Sequence, residues 1–327
     1  MNKDYKVYKG KHLNMNAIIM ENEKIKLSLL PELGFKMASM IYKDKNKELF
    51  FQPTEKQYKK PSYGDAFASY DTSGCDEMLP TIDPCIYKNV QCKDILLPDH
   101  GEVWSRAWDV AISNNQIRGC IQLQSIPLIF EKSVQFEGNH IIKMDYVLTN
   151  REDTEIPFIW ALHGLHVFDE DTAMLLPPEV KQIINVHANE KLGNVENVHT
   201  FPLAKNMDGD IWDLRNLKDY QDRKSYKYYI LNEIQNGQVG FYYRKEEIAC
   251  LIQFDPVQIP YVGIWVNKGG FKGEYNCALE PTNGFYDDVS TAQKNKKVQY
   301  IKGKETLKWT IYLKVGNTEE VDIKMFV

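Results

Sequence analysis

The chain lacks the features that mark several large classes of protein. No apolar run reaches the roughly 18 residues of a membrane-spanning helix, and the N-terminus has no apolar segment of signal-peptide length. No stripe of lysine and arginine stands out, and basic and acidic residues are interspersed around a formal net charge of −5. These absences argue against membrane and nucleic-acid partners and lead us to expect a cytoplasmic protein.

Cysteine is present but not in pairs. The 6 cysteines, at positions 75, 85, 92, 120, 250 and 277, show no CxxC spacing. Zinc clips and small disulfide frameworks need closely spaced cysteines. We therefore expect free thiols that are buried or half-buried.

Long segments with the 3.6-residue period of a helix are nearly absent as well. Only 52–60 and 208–222 could hold a helical turn or two. A period of two dominates instead, because 140–150 (HIIKMDYVLTN) and 305–316 (ETLKWTIYLKVG) alternate apolar and polar residues. This alternation predicts half-buried strands.

Turn-forming residues separate the alternating runs at short intervals. Gly138-Asn139 and Asn236-Gly237 each lie between two such runs. Many strands without intervening helices favour antiparallel pairing, and neither a linker nor an internal repeat divides the chain. We predict an all-β fold, a large antiparallel two-sheet sandwich that forms a single domain over residues 1–327.

Four stretches break the alternation by concentrating polar, aromatic and glycine residues. They are 70–83 (YDTSGCDEMLPTID), 97–108 (LPDHGEVWSRAW), 158–168 (FIWALHGLHVF) and 278–288 (ALEPTNGFYDD). Each follows or interrupts a strand-like run, which is where a rigid β scaffold presents functional groups. The functional site is expected in these stretches.

The four stretches resemble, in the same order, segments of the aldose 1-epimerase (galactose mutarotase-like) superfamily. HGE in 97–108, WALHGLHVF in 160–168 and LEPTNG in 279–284 are similar to its three active-site segments. GCDEMLPTI is similar to a GxDEMxPTI signature in one branch of the superfamily. The resemblance covers roughly residues 20–320, and it implies a β-supersandwich fold and interconversion of the α and β anomers of an aldose.

The resemblance also implies three catalytic roles. His163 matches the general acid on the sugar ring oxygen, and His100 matches a second histidine near the ring oxygen and the anomeric hydroxyl. Glu280 matches the base that takes the proton from the C1 hydroxyl. Ring opening needs an acid and a base across one bond, and a histidine and a partly buried carboxylate exchange protons near neutral pH. No metal, nucleotide or covalent nucleophile is called for, so no cofactor is predicted.

Further residues are candidates for substrate binding. The aromatic candidates, which would stack on the apolar face of a pyranose, are Trp104, Trp160 and Trp265. The polar candidates, which would hydrogen-bond the sugar hydroxyls, are Asp76, Glu77, Arg106 and Asn267. Asp76 and Glu77 are adjacent, so only one of them can face a cleft from a strand. Both could instead buttress Arg106 as a structural ion pair.

The resemblance breaks down in the part that reads the sugar. Galactose mutarotases carry an asparagine–arginine segment that contacts hydroxyls, whereas 69–83 contains no arginine. Glu102 stands where the family has a glycine. The sugar is therefore not specified, and Arg106, Lys224, Lys268 and Lys272 leave room for an anionic substituent.

Other conspicuous residues have a structural interpretation. His163 and His166 form an HxxH spacing, but residues i and i+3 of a strand point to opposite faces, so a metal pair is not expected. Trp108 and Trp309 alternate with apolar neighbours and are predicted to lie in the core. The histidines in polar surroundings, predicted at the surface, are His12, His140, His187 and His199.

Three functions are compatible with these features. The leading hypothesis is an aldose 1-epimerase-like enzyme acting on a small-molecule carbohydrate. The alternative is a carbohydrate-binding protein on the same fold without turnover. A polysaccharide lyase or hydrolase would need an extended groove and usually further domains. The joint presence of His100, His163 and Glu280 favours the enzyme, because a binder needs no acid and base across one bond. Oligomeric state stays open, and a homodimer is one option.

Overall fold

The computed structural model describes residues 5–88, 94–113, 116–217 and 223–326, which form two large antiparallel sheets and three two-stranded ones. The 12-stranded sheet contains, in spatial order, β1 (Lys6–His12), β2 (Met15–Glu21), β3 (Ile25–Leu30), β4 (Lys36–Tyr42), β6 (Cys75–Met78), β14 (Ala161–Gly164), β24 (Tyr275–Thr282), β23 (Tyr261–Lys268), β20 (Ser225–Ile230), β16 (Gln182–Asn185) and β17 (Val198–Thr200), with β5 (Lys47–Glu48) beside β4.

The second sheet has 8 strands and packs its apolar side towards the first. Its strands are β15 (Thr172–Leu175), β21 (Gln238–Tyr243), β22 (Ile248–Phe254), β26 (Thr306–Asn317), β12 (Ile141–Asn150), β11 (Leu128–Phe136), β10 (Gln116–Gln122) and β9 (Asp109–Ser113). The two-stranded sheets pair β13 (Ile156–Phe158) with β25 (Gln299–Ile301), β18 (Leu203–Lys205) with β19 (Ile211–Asp213), and β7 (Cys85–Lys88) with β8 (Asp94–Leu97).

The period-two pattern of the sequence corresponds to the central strands of the smaller sheet. β12 and β26 pair antiparallel, with Ile142 opposite Leu313 and Tyr146 opposite Trp309. Every second residue of β12 is buried and those between are partly exposed. Successive side chains of a strand point to opposite faces, so a sheet that buries one face shows this alternation. The strands predicted from the two-residue period are confirmed here.

In the described residues, helix is rarer than the sequence indicated, and it lies in a different part of the chain. Residues 52–60 form turns and irregular chain, and 211–213 of the second candidate segment belong to β19. The last part of that segment, 218–222, lies outside the described residues. The one α-helix of the described ranges is α1 (Val289–Lys294), which was not predicted and which Asp288 caps by accepting a hydrogen bond from the Thr291 amide. Short 3₁₀ turns occupy Lys43–Lys45, Phe67–Ser69 and Lys324–Phe326.

The core between the sheets is built on stacked rings. Trp309 stacks on Tyr146 with ring centroids 5.4 Å apart, and Trp160 meets Trp309 edge-on at 5.2 Å. Trp108 packs against Phe130 in the same cluster. The prediction that Trp108 and Trp309 belong to the core is confirmed.

The described cysteines are all free thiols, as expected. Cys75, Cys250 and Cys277 are buried, and Cys85 and Cys120 are half-buried. Cys92 lies outside the described residues. Across the ranges that the structure covers, no helix combines the length and apolarity needed to cross a bilayer.

Candidate active site

One cleft of ≈ 390 Å³ lies against β14, β20, β23 and β24 of the larger sheet. Each of the four polar stretches contributes to its lining. The titratable side chains that line it are Asp83, Asp99, His100, His163, His187, Lys227 and Asp287. Its volume falls in the range of about 300–1,000 Å³ that small-molecule sites occupy.

A row of residues crosses the sheet at the base of the cleft. Asp76 on β6 lies opposite His163 on β14, and the register of β14 against β24 brings His163 opposite Glu280. Residues directly opposite each other in antiparallel strands point to the same face. The candidate acid and base are thus neighbours although they are 117 positions apart in the chain.

The row continues beyond Glu280 with a glycine. Gly263 on β23 lies opposite both Glu280 and Tyr229 of β20. A Cβ at position 263 would lie 3.2 Å from the Tyr229 ring and 3.3 Å from Glu280 Oε2. Glycine at this position therefore leaves room for the polar groups on either side.

His100 reaches the cleft from a tight loop. Both His100 and Gly101 adopt positive φ, and a Cβ at 101 would overlap the Leu79 carbonyl. Gly101 is thus required where the loop crosses the stretch that ends β6. The His100 ring stacks on Phe67 with centroids 4.1 Å apart, and its Nδ1 lies 2.7 Å from Asp99 Oδ1.

His163, which lines the cleft, faces Glu280, which is fully buried beside it and lies outside the lining. His163 Nε2 and Glu280 Oε1 are 3.7 Å apart, and both side chains are buried. Neither Glu280 Oε1 nor His163 Nδ1 has a hydrogen-bond partner among the described residues. Burial raises the pKa of Glu280 and lowers the pKa of His163 well below its usual range.

A buried lysine that the sequence analysis did not select binds the same carboxylate. Lys227 on β20 binds Glu280 Oε2, and its Nζ lies 4.0 Å from Asp287 Oδ1. Burial opposes the charge on Lys227, but Asp287 and Glu280 hold its pKa above the usual value. Tyr229 donates a hydrogen bond of 2.6 Å to Asp287 Oδ1. No sequence signal marked Lys227, because it lies in an ordinary alternating strand outside the four stretches.

His187 is exposed, as predicted, and it also lines the cleft. Its Nε2 is 3.8 Å from Asp83 Oδ2 and 3.9 Å from Asp287 Oδ2. The three ligand atoms converge within 4.8 Å, which matches the donor set of a divalent cation. It equally matches a protonated histidine between two carboxylates, and its contact with Asp83 raises the pKa of His187. Asp83 could have been selected, since it directly follows the GCDEMLPTI motif.

The structure places one of the seven predicted substrate contacts in the cleft lining, Trp265. The indole of Trp265 is half-buried, and its Nε1 donates to Asn276 Oδ1 at 3.0 Å. The residues that lie outside the lining are Asp76, Glu77, Trp104, Arg106, Trp160 and Asn267.

Glu77 and Trp160 belong to the interior between the sheets. Trp160 Nε1 donates to Glu77 Oε2 at 2.8 Å, and Lys132 Nζ lies 2.8 Å from Glu77 Oε1. Asp76 points to the opposite face, as strand alternation requires, but it is fully buried and pairs with Lys36 at 3.0 Å. Burial raises the pKa of Asp76 to about 7. Neither acid pairs with Arg106.

Arg106 and Trp104 are part of the support of the His100 loop. Arg106 donates to the buried Glu102 at 2.9 Å and lines a separate open hollow. Trp104 is buried, donates to the Asp99 carbonyl and meets Phe67 edge-on. Both residues therefore stabilise the loop from behind instead of facing the cleft.

Asn267 has a similar supporting position. Its side chain is buried and exchanges two hydrogen bonds with the backbone of Phe271, at 2.9 and 3.0 Å. Phe271 itself lines the cleft. Asn267 thus orders a segment that reaches the site without lining it.

The candidate cations for an anionic substituent are occupied by protein groups. Lys224 pairs with Glu190, and the ammonium of Lys268 lies 5.3 Å from the centre of the Trp212 ring. Lys272 donates to the Tyr70 carbonyl and approaches the Thr72 hydroxyl.

The remaining histidines lie away from the cleft. His166 is buried against Phe50 and Phe241, its Nδ1 is 3.2 Å from the Tyr243 hydroxyl, and burial lowers its pKa to about 3. His163 and His166 do not face a common point. The half-buried histidines near the surface are His12, His140 and His199.

The fold matches those of solved proteins, although no family model and no curated protein matches the chain. Slr1438 from Synechocystis sp. PCC 6803 is 13% identical with a TM-score of 0.70, over 97% of this chain and 99% of that one. A galactose mutarotase related enzyme from Lactobacillus acidophilus is 14% identical with a TM-score of 0.64, over 97% and 100%. A galactose mutarotase-like protein from Lactobacillus casei ATCC 334 is 13% identical with a TM-score of 0.66, over 92% and 100%.

At such low identity, these likenesses concern the fold. The chain has the galactose mutarotase-like β-sandwich fold, and the predicted fold class is confirmed. The resemblance to one GxDEMxPTI-type branch stays a prediction.

Proposed function

We propose that the protein is an aldose 1-epimerase-like enzyme, a mutarotase, that interconverts the α and β anomers of a free sugar or sugar derivative. The observation that carries the proposal is that His163, in the cleft lining, faces the buried Glu280. Glu280 Oε1 and His163 Nε2 are 3.7 Å apart and come from adjacent strands of a rigid sheet. A base and an acid at this separation can act on the hydroxyl and the ring oxygen of one anomeric carbon.

In the proposed reaction, Glu280 takes the proton of the C1 hydroxyl while His163 delivers a proton to the ring oxygen. Rotation about C1–C2 presents the other face of the aldehyde, and the two residues exchange roles on ring closure. Burial raises the pKa of Glu280, which strengthens it as a base, whereas burial lowers the pKa of His163, so the protonated imidazole that the acid step needs is the minor form at neutral pH.

His100 and Trp265 complete the proposed sugar site. The contact with Asp99 and the stacking on Phe67 hold the His100 ring, whose centroid is 5.7 Å from that of His163. A second imidazole this close to His163 supports a role for His100 beside the proposed ring-oxygen position. Trp265 offers an aromatic surface for the apolar face of a pyranose.

The cleft favours a small and uncharged sugar as the proposed substrate. Its volume of ≈ 390 Å³ is that of a small-molecule pocket and not of the extended groove of a polysaccharide lyase or hydrolase. Lys227 is the lysine of the described cleft lining, and two carboxylates already balance its charge.

Anomer-exchange spectroscopy by NMR tests the proposal across a panel of neutral, phosphorylated and acidic aldoses at neutral pH. We expect exchange above the spontaneous rate in the wild type. Glu280→Gln and His163→Asn should each lose about 10²–10⁴-fold, the usual contribution of a general acid or base. Glu152→Gln and His140→Asn, which alter residues outside the cleft, serve as matched controls.

The same spectra separate the alternatives. No acceleration for any sugar would refute the enzyme. Line broadening of a sugar without exchange would instead identify a carbohydrate-binding protein on this fold.

A further inference from the structure

The buried lysine of the cleft has no role in the acid–base scheme above. Lys227 lies in β20, where Ser225, Lys227 and Tyr229 alternate with inward-facing tyrosines, so all three point to the cleft side. Burying an ammonium group is costly unless a charge partner is present. The position of Lys227 therefore requires an explanation in terms of its partner.

The partner is one oxygen of the candidate base. Lys227 Nζ binds Glu280 Oε2, whereas Oε1 carries no hydrogen bond from the described residues and lies 3.7 Å from His163 Nε2. The lysine thus occupies one side of the carboxylate and leaves the other side open. A free carboxylate would rotate about its last torsion, which has a broad energy minimum.

The space for this contact depends on the strand between the two residues. Gly263 lies opposite Glu280, and a Cβ there would come within 3.3 Å of Glu280 Oε2, the oxygen that Lys227 binds. Any larger residue at 263 would press on the pair. The contact between Lys227 and Glu280 therefore gives a steric reason for glycine at position 263.

Several charged or titratable groups face the pair. They are Asp287 after β24, His163 on β14, His100 and Asp83 in loops, His187 after β16 and Tyr229 on β20. Asp287 is the second carboxylate beside Lys227, and Tyr229 orients it by a hydrogen bond. Lys227 is the cation in direct contact with Glu280.

We infer that Lys227 is a positioning residue of the proposed reaction, which holds Oε2 of Glu280 so that Oε1 points at the anomeric hydroxyl and His163. The inference rests on the proposed function. Lys227 also opposes the effect of burial on the carboxylate, since its charge favours the ionised form that acts as base.

The test is the pH dependence of anomer exchange in the full-length protein, with kcat and KM measured separately. We expect Lys227→Met to lower kcat by about 10²-fold near neutral pH, with little change in KM. The acidic limb of the pH–rate profile of this variant should shift to higher pH by about one unit or more, because a buried carboxylate without its cation ionises only at higher pH. Lys227→Arg should recover part of both effects.

Two further variants keep the test decisive. Gly263→Ala disturbs the same contact without removing a charge, and it should lower kcat and move the limb in the same direction but less. Lys224→Met removes a lysine that pairs with Glu190 outside the cleft and should leave the profile unchanged. Circular dichroism establishes that each variant is folded, and Lys227→Arg with Gly263→Ala carry the test if Lys227→Met does not fold.

The possible failures are distinguishable. An active wild type whose acidic limb stays in place in Lys227→Met and Gly263→Ala overturns the role of Lys227 and leaves the enzyme proposal standing. A wild type without anomer exchange overturns the proposed function, and the role of Lys227 with it.

Discussion

Two buried glutamate–lysine pairs lie on opposite faces of the same sheet, and they are built differently. In the interior, Glu77 accepts hydrogen bonds from Tyr146 at 2.9 Å and Trp160 at 2.8 Å and pairs with Lys132. In the cleft, the carboxylate of Glu280 is bound on one oxygen only.

The difference distinguishes a structural charge pair from one suited to chemistry. A buried carboxylate with both oxygens engaged stabilises a unique packing. A buried carboxylate with one oxygen free of hydrogen bonds beside a cleft and a perturbed pKa is a candidate for acid–base work. Burial and charge alone do not separate the two cases, but hydrogen-bond saturation does.

The largest expected effect is a loss of activity on substitution in the Glu280–Lys227 pair, in which Glu280 Oε1 has no hydrogen bond from the described residues. Glu280→Gln should lower anomer exchange by about 10²–10⁴-fold. It should lower the free energy of unfolding by less than the roughly 3–5 kcal/mol of a fully broken buried pair, since Asp287 stays 4.0 Å from Lys227. Exchange spectroscopy and urea unfolding measure the two quantities, and a large stability loss with intact exchange would reverse the comparison.

Substitution in the Glu77–Lys132 pair should instead lower stability and leave activity unchanged. Lys132→Met leaves Glu77 buried without its cation, and we expect the free energy of unfolding to fall by about 3–5 kcal/mol. Adding Glu77→Gln should restore part of the loss, because the unpaired charge is gone. Denaturant unfolding of both variants checks this, and a loss of exchange per folded molecule would place the interior pair in the reaction.

A buried histidine outside the cleft extends the comparison to pH. His166 has its pKa lowered from 6.5 to about 3, so below pH 6.5 the unfolded chain takes up a proton that the folded chain does not. Stability therefore falls as the pH drops from 6.5 towards 3, by about 2 kcal/mol at pH 5 from this residue.

Replacement of His166 isolates that contribution. His166→Phe should reduce the acid-induced loss by this amount, measured by urea unfolding at pH 8 and pH 5, with His199→Asn as the control. An unchanged pH dependence would show that His166 is protonated in the folded protein.

The smallest expected effect is that of a substitution at Trp265. Trp265→Ala removes an aromatic surface of the cleft, and KM should rise by about tenfold with a smaller change in kcat, equivalent to 1–1.5 kcal/mol of stacking. Trp160→Ala, which opens a cavity beside Trp309, should reduce stability instead. A rise in KM for Trp160→Ala alone would mean that the sugar binds elsewhere.

The sequence motifs and the two-residue alternation predicted many of the strands and the stretches that form the cleft. The two-residue period predicted β12 and β26 with their buried faces, and the four polar stretches do meet at one cleft. His100, His163 and Glu280 were selected from motif resemblance, and the register of β14 and β24 makes the last two neighbours. Their catalytic roles stay a proposal.

Side-chain direction and long-range partners were beyond the sequence. Asp76 and Glu77 were both selected, yet both are buried behind or beneath the cleft, where Lys36 and Lys132 bind them. Trp104 and Arg106 stand beside His100 in the chain but support its loop from behind. Lys227 and His187 lie in unremarkable segments and reach the cleft only through strand pairing and loop packing.

The sequence by itself determined the strands, the turns between them and the stretches from which functional groups come. Local steric preferences and the period-two burial of side chains are properties of neighbouring residues, so they can be read along the chain. Only the tertiary structure decided which carboxylate is saturated and which is open. That outcome depends on which distant cation and hydrogen-bond donors surround each carboxylate, and strand order and sheet register set those partners.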